Sequence, residues 1–487
     1  MEKTVIVIGA GAAGLMAAAA AAEKGHRVIV LEKNEKAGKK IYITGKGRCN
    51  LTNDCDTEEF FSHVVRNPKF LYSAVYGFDH GMVKDFFEKN GCAVKVERGS
   101  RVFPVSDHAS DVTAALVRFL KKHDVEICCH SPVEDILTED LFPEGGSGTE
   151  AGDGKHNDPR SRKKGPDLCV RGVRLKNGKT IPADAVILCT GGLSYPSTGS
   201  TGDGLKIARR LGLKTTPTAP SLVPFETRDQ WCRDLQGLAL KNVSVRIFPL
   251  EKTSETEGGE APQGRNKAKP VYEAFGELLF THFGLSGPII LTASCNCDFE
   301  KYPEGFRLFL DLKPALSQQQ LEERIAREFA ASPGKHLPAA IRPLFPARLA
   351  EAVTELSGFG TKQRAAGFSP SRIRELASLI KNIPVTVTGT RGYTEAIITR
   401  GGISVKEIKP STMETKKIAG LYIAGEILDV DAHTGGSISR SPGRQAIWQA
   451  AVSRWNPEKR GRAPAAVVIF VCAWSHYQAQ IMIREEI

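Results

Sequence analysis

Residues 4–14 read TVIVIGAGAAG, and residues 27–32, after an alanine-rich stretch, read RVIVLE. Both β-branched runs predict short, buried strands of a parallel sheet. The intervening stretch from Leu15 to Lys24 favours a helix that can pack closely on that sheet, because alanine combines high helix propensity with little bulk. The order of the elements predicts a Rossmann-like nucleotide-binding fold: a strand, a glycine turn, a helix, a second strand and an acidic residue.

Each glycine of this motif has a distinct physical role, and so do the helix N-terminus and Glu32. Gly9 allows a tight turn, Gly11 allows the backbone to approach a pyrophosphate, and Gly14 allows the helix to pack on the strand. The helix N-terminus offers free N–H groups and a positive dipole end to the phosphates. Glu32, 18 residues after Gly14, can accept hydrogen bonds from ribose hydroxyls and would repel a 2′-phosphate. The motif alone leaves FAD and NAD equally open.

Length and composition indicate a globular enzyme of several domains. The chain has 487 residues, of which 41% are hydrophobic and 25% charged, so we expect two or three domains. No apolar run approaches the roughly 20 residues of a membrane helix, and no targeting segment precedes the first strand, so we expect a cytoplasmic protein. The eleven cysteines show no zinc or redox spacing, which predicts reduced thiols and no metal site.

The net charge of +11 leaves the class of partner open. Nucleic acid, an acidic membrane surface or an anionic substrate would each suit it. The basic residues are spread along the chain, and we see no basic stripe interleaved with aromatic residues. We therefore expect a small-molecule substrate, with neither a nucleic acid nor a membrane as partner. The oligomeric state stays open.

The remaining segments predict one nucleotide domain built from two separated parts. Residues 38–53, GKKIYITGKGRCNLTN, predict a basic, glycine-rich loop that folds over a cofactor. Residues 125–136, 168–176 and 180–189 predict strands, and the polar residues 138–167 predict a disordered hairpin tip. Residues 205–384 combine strand alternation with helical spacing, as at 317–331, and predict an inserted substrate domain. From 385 the first pattern returns, with a turn at 400–403 and a strand at 420–426.

Seven motifs together resemble a known family. They are VIVIGAGAAGLMAA (5–18), GKKIYITGKGRCNLTN (38–53), SRVFPVSDHASDV (100–112), CTGGLSYPSTGSTGDG (189–204), GELLFTHFGLSGPIIL (276–291), VTGTRGYTEAIITRGGISVKEI (387–408) and GLYIAGEILDVDAHTGG (420–436). The chain looks like the NAD(P)/FAD-dependent oxidoreductases of the group that includes aminoacetone oxidase and 3-dehydro-bile-acid Δ4,6-reductase. The resemblance extends from Met1 to about Gly436.

The resemblance implies an α/β fold: a discontinuous Rossmann-like FAD-binding domain with an inserted β-barrel-like and helical substrate domain. The corresponding boundaries are 1–204 and 385–436 for the FAD domain and 205–384 for the insertion. It implies non-covalent FAD, with NAD(P)H as a candidate electron donor. The implied cofactor-binding residues are Gly9, Ala10, Gly11, Ala12, Ala13, Gly14, Glu32, Lys33, Lys40, Thr44, Gly45, Lys46, Gly47, Arg48, Cys49, Asn50, Val133, Thr190, Gly191, Gly192, Gly425, Glu426, Asp429, Gly435 and Gly436, with Gly401 and Gly402 near the flavin ring.

The tail, residues 437–487, departs from the family pattern. The family pattern has an apolar helix after Gly436, but this sequence reads SISRSPGRQAIWQA, and Pro442-Gly443 would break a helix. Back-translation of 437–449 with permitted codons, read one base earlier, can encode the expected helix. We hypothesise that the tail is a frameshift product. The codons of the gene test this: a frame that does not encode the helix contradicts it.

The sequence favours two-electron transfer through a bound flavin, with hydride taken from NAD(P)H or a substrate and passed to an enone-like acceptor or oxygen. The predicted catalytic residues are Arg48, Arg391 and Tyr393; Tyr195 and His282 are further substrate-side candidates. Cys49 could place a thiol near the flavin. Two alternatives remain: a flavin-dependent RNA-modifying enzyme, favoured by the basic charge, and a flavoprotein impaired by its altered tail.

Overall fold

The computed structural model describes residues 2–141, 165–250 and 269–433. Several predictions lie outside the described residues. They concern most of the polar segment 138–167, the cofactor residues Gly435 and Gly436, and the tail from 437 onward.

The helices and strands are numbered here in chain order. The helices are α1 Ala12–Ala22, α2 Lys39–Ile43, α3 Thr57–Ser62, α4 Tyr72–Gly77, α5 His80–Lys89, α6 Ala109–Lys122, α7 Asp203–Arg210, α8 Gln230–Asp234, α9 Pro288–Ser294, α10 Gln318–Ala331, α11 Leu337–Ala340, α12 Ala347–Leu356 and α13 Pro370–Lys381. The strands are β1 Thr4–Ile8, β2 Arg27–Leu31, β3 Thr52–Asn53, β4 Val64–Arg66, β5 Val94–Glu97, β6 Arg101–Pro104, β7 Glu126–Cys128, β8 Val133–Asp140, β9 Leu168–Leu175, β10 Thr180–Pro182, β11 Ala185–Leu188, β12 Ala219–Ser221, β13 Phe225–Thr227, β14 Ala239–Pro249, β15 Tyr272–Thr281, β16 Gly284–Ser286, β17 Phe306–Asp311, β18 Ile383–Thr390, β19 Ile398–Arg400, β20 Ile418–Ala419, β21 Leu421–Ile423 and β22 Asp431–Ala432.

The first compact unit contains the described residues up to Ser221 and those from Tyr393 onward. Its main sheet is parallel in the order β21-β11-β1-β2-β7, so strands from both ends of the chain share it. The alanine-rich helix α1 packs on β1, β2 and α6, and all its residues from Gly14 to Ala22 are buried. Small side chains on every face explain this burial, because α1 has apolar neighbours on more than one side.

The second compact unit runs from Leu222 to Gly392 and is built on a closed barrel. Its strands follow the order β13-β16-β15-β14-β17-β18, with antiparallel pairing throughout. Alternating residues of β17 point inward, and Phe306, Leu308 and Leu310 are fully buried. The helices α10 to α13 extend the same core, and a capping box between Ser317 and Gln320 starts α10 at the position that its sequence predicts.

The predicted fold class is confirmed: a Rossmann-like unit and a separate six-stranded barrel with helices. The domain boundaries at 205 and 385 stay predictions. In the structure the chain changes unit at Leu222 and at Tyr393, because β18, which begins at Ile383, closes the barrel. Strand alternation alone does not tell which sheet a strand joins. Among the described residues, no helix has the length and apolarity needed to cross a membrane.

Candidate functional site

The glycine turn between β1 and α1 has the geometry of an anion-binding helix start. A Cβ at Gly14 would lie 1.8 Å from the carbonyl oxygen of Gly9, so only glycine fits where the helix approaches the strand end. Gly11 is the N-cap, and a Cβ there would meet no atom within 4 Å, which leaves room for a ligand. The first turn of α1 carries no acidic side chain that would repel phosphate.

A cavity of about 140 Å³, partly open to solvent, adjoins this turn. The predicted cofactor residues that line it are Gly9, Ala10, Gly11, Ala12, Ala13, Glu32, Lys33, Lys40, Thr44, Cys49, Val133, Thr190, Gly191, Gly425 and Glu426. The predicted and described residues outside its lining are Gly14, Gly45, Lys46, Gly47, Arg48, Asn50, Gly192, Gly401, Gly402 and Asp429. The structure therefore gathers six separated segments of the prediction into one cavity.

Glu32 lies at the end of β2, and its carboxylate is 7% exposed. Its Oε2 accepts a hydrogen bond from the backbone N–H of Ala10 at 2.8 Å. Its Oε1 accepts hydrogen bonds from the backbone N–H of Asn34 at 2.9 Å and from the Asn34 side chain at 2.7 Å. These bonds fix the carboxylate beside the glycine turn, where the predicted ribose contact requires it.

Sequence reasoning missed the second wall of the same cavity. Its additional polar lining comes from Asn34, Ser131, Thr198, Ser200 and Asp203. The Lys33 ammonium lies 2.7 Å from Asp203 Oδ2, and this bond and charge outweigh burial and lower the pKa of Asp203. The stretch GSTGDG at 199–204 was noted as a motif, but only folding shows that it faces Lys33.

A buried polar network joins both ends of the chain at the other side of the cavity. The Lys40 ammonium lies 2.9 Å from Ser194 Oγ and 3.1 Å from Glu426 Oε2. Glu426 Oε1 accepts hydrogen bonds from Ser194 Oγ at 2.5 Å and from the Thr399 N–H at 2.9 Å. Thr399 Oγ1 in turn accepts from the N–H groups of Leu193 and Ser194. Glu426 is thereby held, charged and paired, at the end of β21.

Residues 38–53 are more ordered than the predicted loop. They form α2 and a 3₁₀ turn at Thr44–Gly47, in which Gly45 and Lys46 are left-handed. The Arg48 guanidinium lies 2.5 Å from Glu97 and 2.8 Å from Asp107, and stacks 4.0 Å from the centre of the Phe103 ring. The Arg48 charge is therefore paired with two carboxylates next to the small sheet β3-β6-β5. A catalytic role for Arg48 stays a prediction.

Of the two predicted flavin-ring glycines, Gly402 lies directly against the segment after β21, and Gly401 lies against the backbone of Pro217. A Cβ at Gly402 would lie 2.3 Å from the carbonyl oxygen of Ile427, so the two backbones touch. The Asp429 N–H donates to the Ile403 carbonyl at 2.9 Å. Folding therefore places residues 402–403 beside residues 427–429, and none of them lines the cavity; a position of Gly401 and Gly402 near the flavin ring stays a prediction.

A cluster of carboxylates follows at β22. Asp431 is 1% exposed, and neither of its oxygens has a hydrogen-bond partner among the described residues. Arg66 lies 3.6 Å from Asp431 and 3.7 Å from Asp429. Burial raises the pKa of Asp431 to about 7; the charges of Arg66 and Arg400 oppose the shift and that of Asp429 increases it. Sequence reasoning did not single out this residue.

The predicted substrate-side residues are divided between the units. In the second unit, Arg391 lies 3.2 Å from Glu226 and 4.6 Å from the centre of the Phe283 ring, which also contacts His282. In the first unit, the Tyr393 carbonyl accepts a hydrogen bond from the Tyr195 N–H at 3.0 Å. Tyr195 has a φ of +47°, a strained value for a bulky side chain.

The chain matches known proteins along most of its length. Residues 3–143 match the family description "HI0933-like protein Rossmann domain", and residues 219–398 match "HI0933-like protein barrel and H2TH domain". The ribosomal RNA dihydrouridine synthase of Escherichia coli K12 is 30% identical over 435 residues, covering 88% of this chain and 93% of that protein. The chain belongs to the HI0933-like flavoprotein family.

Two further relatives are also similar to most of this chain. The ribosomal RNA dihydrouridine synthase of Haemophilus influenzae is 30% identical over 433 residues, covering 88% of this chain and 93% of that protein. The 3-dehydro-bile acid delta(4,6)-reductase of Clostridium scindens is 27% identical over 435 residues, covering 88% of this chain and 94% of that protein. The predicted family resemblance is confirmed.

The HI0933-like protein described here is an FAD-dependent oxidoreductase with a Rossmann-like domain. The residues present fit this cofactor. The turn at Gly14, which a Cβ would fill, opens the N-terminus of α1 to a pyrophosphate, and Glu32 stands beside it for the ribose. Which individual residues contact FAD stays a prediction.

Proposed function

We propose that this protein reduces a carbon–carbon double bond conjugated to a carbonyl group, with NAD(P)H as the electron donor. The observation that carries the proposal is that relatives with two unlike substrates align over 88% of this chain. Dihydrouridine arises when the conjugated C5–C6 bond of a uracil is saturated, and a Δ4,6-reductase saturates a conjugated steroid bond. Both names describe the addition of two electrons and two protons, as a hydride and a proton, to such a bond.

The chain's own residues would bind and orient the participants. FAD, when bound, supplies the two-electron hydride chemistry between NAD(P)H and the double bond. The N-terminus of α1 and Glu32 would hold its pyrophosphate and ribose at one end of the cavity. Lys40 and Glu426 would hold the other end with a charge pair that is already in place before binding.

A proton must also reach the substrate carbon next to the carbonyl. Burial and the nearby charge of Glu395 raise the pKa of Tyr195, so its phenol stays protonated at neutral pH. We assign proton donation to Tyr195, with Tyr393 fixing its backbone through the 3.0 Å hydrogen bond. Arg391 stays a predicted catalytic residue. Its side chain is held by Glu226 and stacks on Phe283.

The decisive experiment is an absorbance spectrum of the purified protein, followed by anaerobic reduction with NADH and NADPH. We expect visible flavin bands that bleach with one of the two donors and return when a conjugated enone is added. Colourless protein that free FAD cannot reconstitute would contradict the proposal and favour an impaired flavoprotein. Reoxidation by oxygen alone, with every enone inert, would indicate an oxidase.

A uridine base in RNA is a second candidate substrate. The dihydrouridine synthase relatives favour it, and so does the net charge of +11. The test is incubation of NAD(P)H-reduced protein with unmodified ribosomal RNA, followed by mass spectrometry of the nucleosides. A mass increase of two hydrogens on uridine supports this substrate. Turnover of steroid-like enones without any change in the RNA contradicts it.

A further inference from the structure

Two stretches of the second unit contain no acidic residue at all. They are residues 329–350 and 356–374. Their lysines and arginines are Lys335, Arg342, Arg348, Lys362, Arg364, Arg372 and Arg374. The five residues between the stretches contain two glutamates, Glu351 and Glu355. Positive charge is thus concentrated in the loops that flank α11 and α12.

Folding joins the two stretches through a short antiparallel bridge. His336 pairs with Arg364, and the Ala365 N–H donates to the Lys335 carbonyl at 2.9 Å. The His336 Nδ1 lies 2.8 Å from the Lys362 carbonyl oxygen. Lys335, His336, Lys362 and Arg364 therefore form one cluster, which we call the basic patch, and all four are exposed.

An aromatic stack holds the loop that carries half of the basic patch. The Phe359 and Phe368 ring centres are 5.2 Å apart, and Phe368 lies 4.9 Å from Phe329 of α10. Arg372 lies over the Phe359 ring at 5.6 Å. This packing holds the loop backbone in place, so Lys362 and Arg364 are carried by an ordered segment.

Within the described part of the chain, the cations of the basic patch form no salt bridge with a carboxylate. Among the described residues, no carboxylate lies within ion-pair distance of Lys335, Lys362 or Arg364. Two arginines of the neighbouring helices are paired: Arg324 of α10 lies 2.7 Å from Glu328, and Arg374 of α13 lies 3.9 Å from Glu322. Like charges gathered without anions repel one another, and an anionic partner would relieve that repulsion.

We propose that the basic patch is a docking surface for the phosphate backbone of RNA. This inference rests on the RNA candidate of the proposed function, and it assigns that contact to the second unit. A membrane surface fits less well, because none of the exposed large hydrophobic residues of the described chain lies between 329 and 374. The sequence alone offers RNA only as an alternative based on net charge and locates no contact surface for it, because the patch exists only once residues 335–336 and 362–364 pair.

The test is the salt dependence of binding to fluorescently labelled, deproteinised ribosomal RNA. The patch variant is Lys335→Gln, Lys362→Gln and Arg364→Gln together. The matched control is Arg228→Gln, Lys241→Gln and Lys301→Gln, which removes the same charge from other exposed positions of the second unit. Each lost phosphate contact lowers the log–log salt slope by about 0.7 to 0.9.

We expect the patch variant to lose roughly two units of slope and at least tenfold affinity in 100 mM salt, and the control to change little. Equal losses in both variants would overturn the inference, since general charge would then explain binding. Absence of RNA binding by the unaltered protein in 50 mM salt would also overturn it. So would patch-dependent binding of phosphatidylglycerol vesicles without RNA binding.

Measurements of flavin and substrate reduction distinguish a failure of this inference from a failure of the proposed function. The patch variant should keep its melting temperature and its rate of flavin reduction by NAD(P)H. If RNA binding depends on the basic patch but no enone or uridine is reduced, the docking surface stands and the proposed reaction fails. If uridine is reduced but RNA binding does not depend on the basic patch, the proposed reaction stands and the docking surface fails.

Discussion

The Lys40 ammonium lies 3.1 Å from Glu426 Oε2, and 386 positions of sequence separate the two residues. Their side chains are 18% and 6% exposed, so water contributes little to the solvation of Glu426. Ser194 and the Thr399 N–H complete the shell of the carboxylate. This pair ties the α2 segment to the end of β21 at the wall of the cavity.

Lys40→Met should destabilise the first unit, because it leaves Glu426 buried without a cation. We expect a loss of roughly 2 to 4 kcal/mol in the free energy of unfolding, measured by denaturant titration of the apo protein. Lys39→Met is the control, since Lys39 pairs with the exposed Glu35 at 3.2 Å. That variant should lose less than about 0.5 kcal/mol. Equal losses in the two variants would refute a special role for the Lys40 pair.

Glu32→Gln should weaken FAD binding while the fold persists. The amide keeps the shape of the side chain but loses the charge that would accept hydrogen bonds from ribose hydroxyls. A hydrogen bond to a charged group contributes about 1.5 to 3 kcal/mol, so we expect a Kd roughly 10 to 100 times higher. Titration of apo protein with FAD measures this, and exposed Glu35→Gln is the control. An unchanged Kd would remove Glu32 from the cofactor site.

Asp431 should make stability depend on pH. Its folded-state pKa of about 7 exceeds the unfolded value of about 3.9, so the folded state prefers the protonated form. The stabilisation is complete below about pH 4 and is lost as pH rises through 7. Between pH 5 and pH 8 we expect Asp431→Asn to gain roughly 1 to 3 kcal/mol relative to the parent protein.

Denaturant titrations at the two pH values measure this gain. Exposed Asp124→Asn is the control and should show no pH-dependent difference. If Asp431→Asn follows the parent at both pH values, the carboxyl is ionised throughout and the buried cluster is solvated in solution.

Arg48→Met separates a structural from a catalytic role. Because Arg48 pairs with Glu97 and Asp107, we expect a loss of about 1 to 2 kcal/mol in stability. The rate of flavin reduction by NAD(P)H should stay within a few-fold of the parent. Exposed Arg98→Met, which changes the residue after Glu97, is the control. A variant of normal stability with reduction slowed a hundredfold would restore Arg48 to the catalytic set.

Tyr195→Phe tests proton donation. The two half-reactions can be followed separately by stopped-flow absorbance. Flavin reduction by NAD(P)H should be unchanged, and reoxidation by the conjugated substrate should slow by about 10²- to 10⁴-fold, the range of general acid catalysis. Tyr422→Phe is the control, since Tyr422 is a half-buried tyrosine of β21 whose pKa is also raised by burial. Loss of both half-reactions in Tyr195→Phe would indicate a structural role.

The sequence by itself determined the local elements of the nucleotide fold. The β1–α1–β2 pattern, the close approach at Gly14 and the position of Glu32 follow from residue type and spacing, because each depends on neighbours within about 30 positions. The start of α10 at Ser317 is also local, since a capping box needs only four residues. The family motifs then supplied the cofactor and the two-unit plan.

Only the tertiary structure decided which distant groups meet. Asp203 pairs with Lys33, and Glu426 pairs with Lys40. Arg48 forms salt bridges with Glu97 and Asp107. Strand β18 joins the barrel although its sequence resembles strands of either unit. The pKa of Asp431 and the clustering of Lys335 with Arg364 arise from burial and from one backbone bridge. Charge, burial and strand partner depend on long-range packing, which residue spacing does not encode.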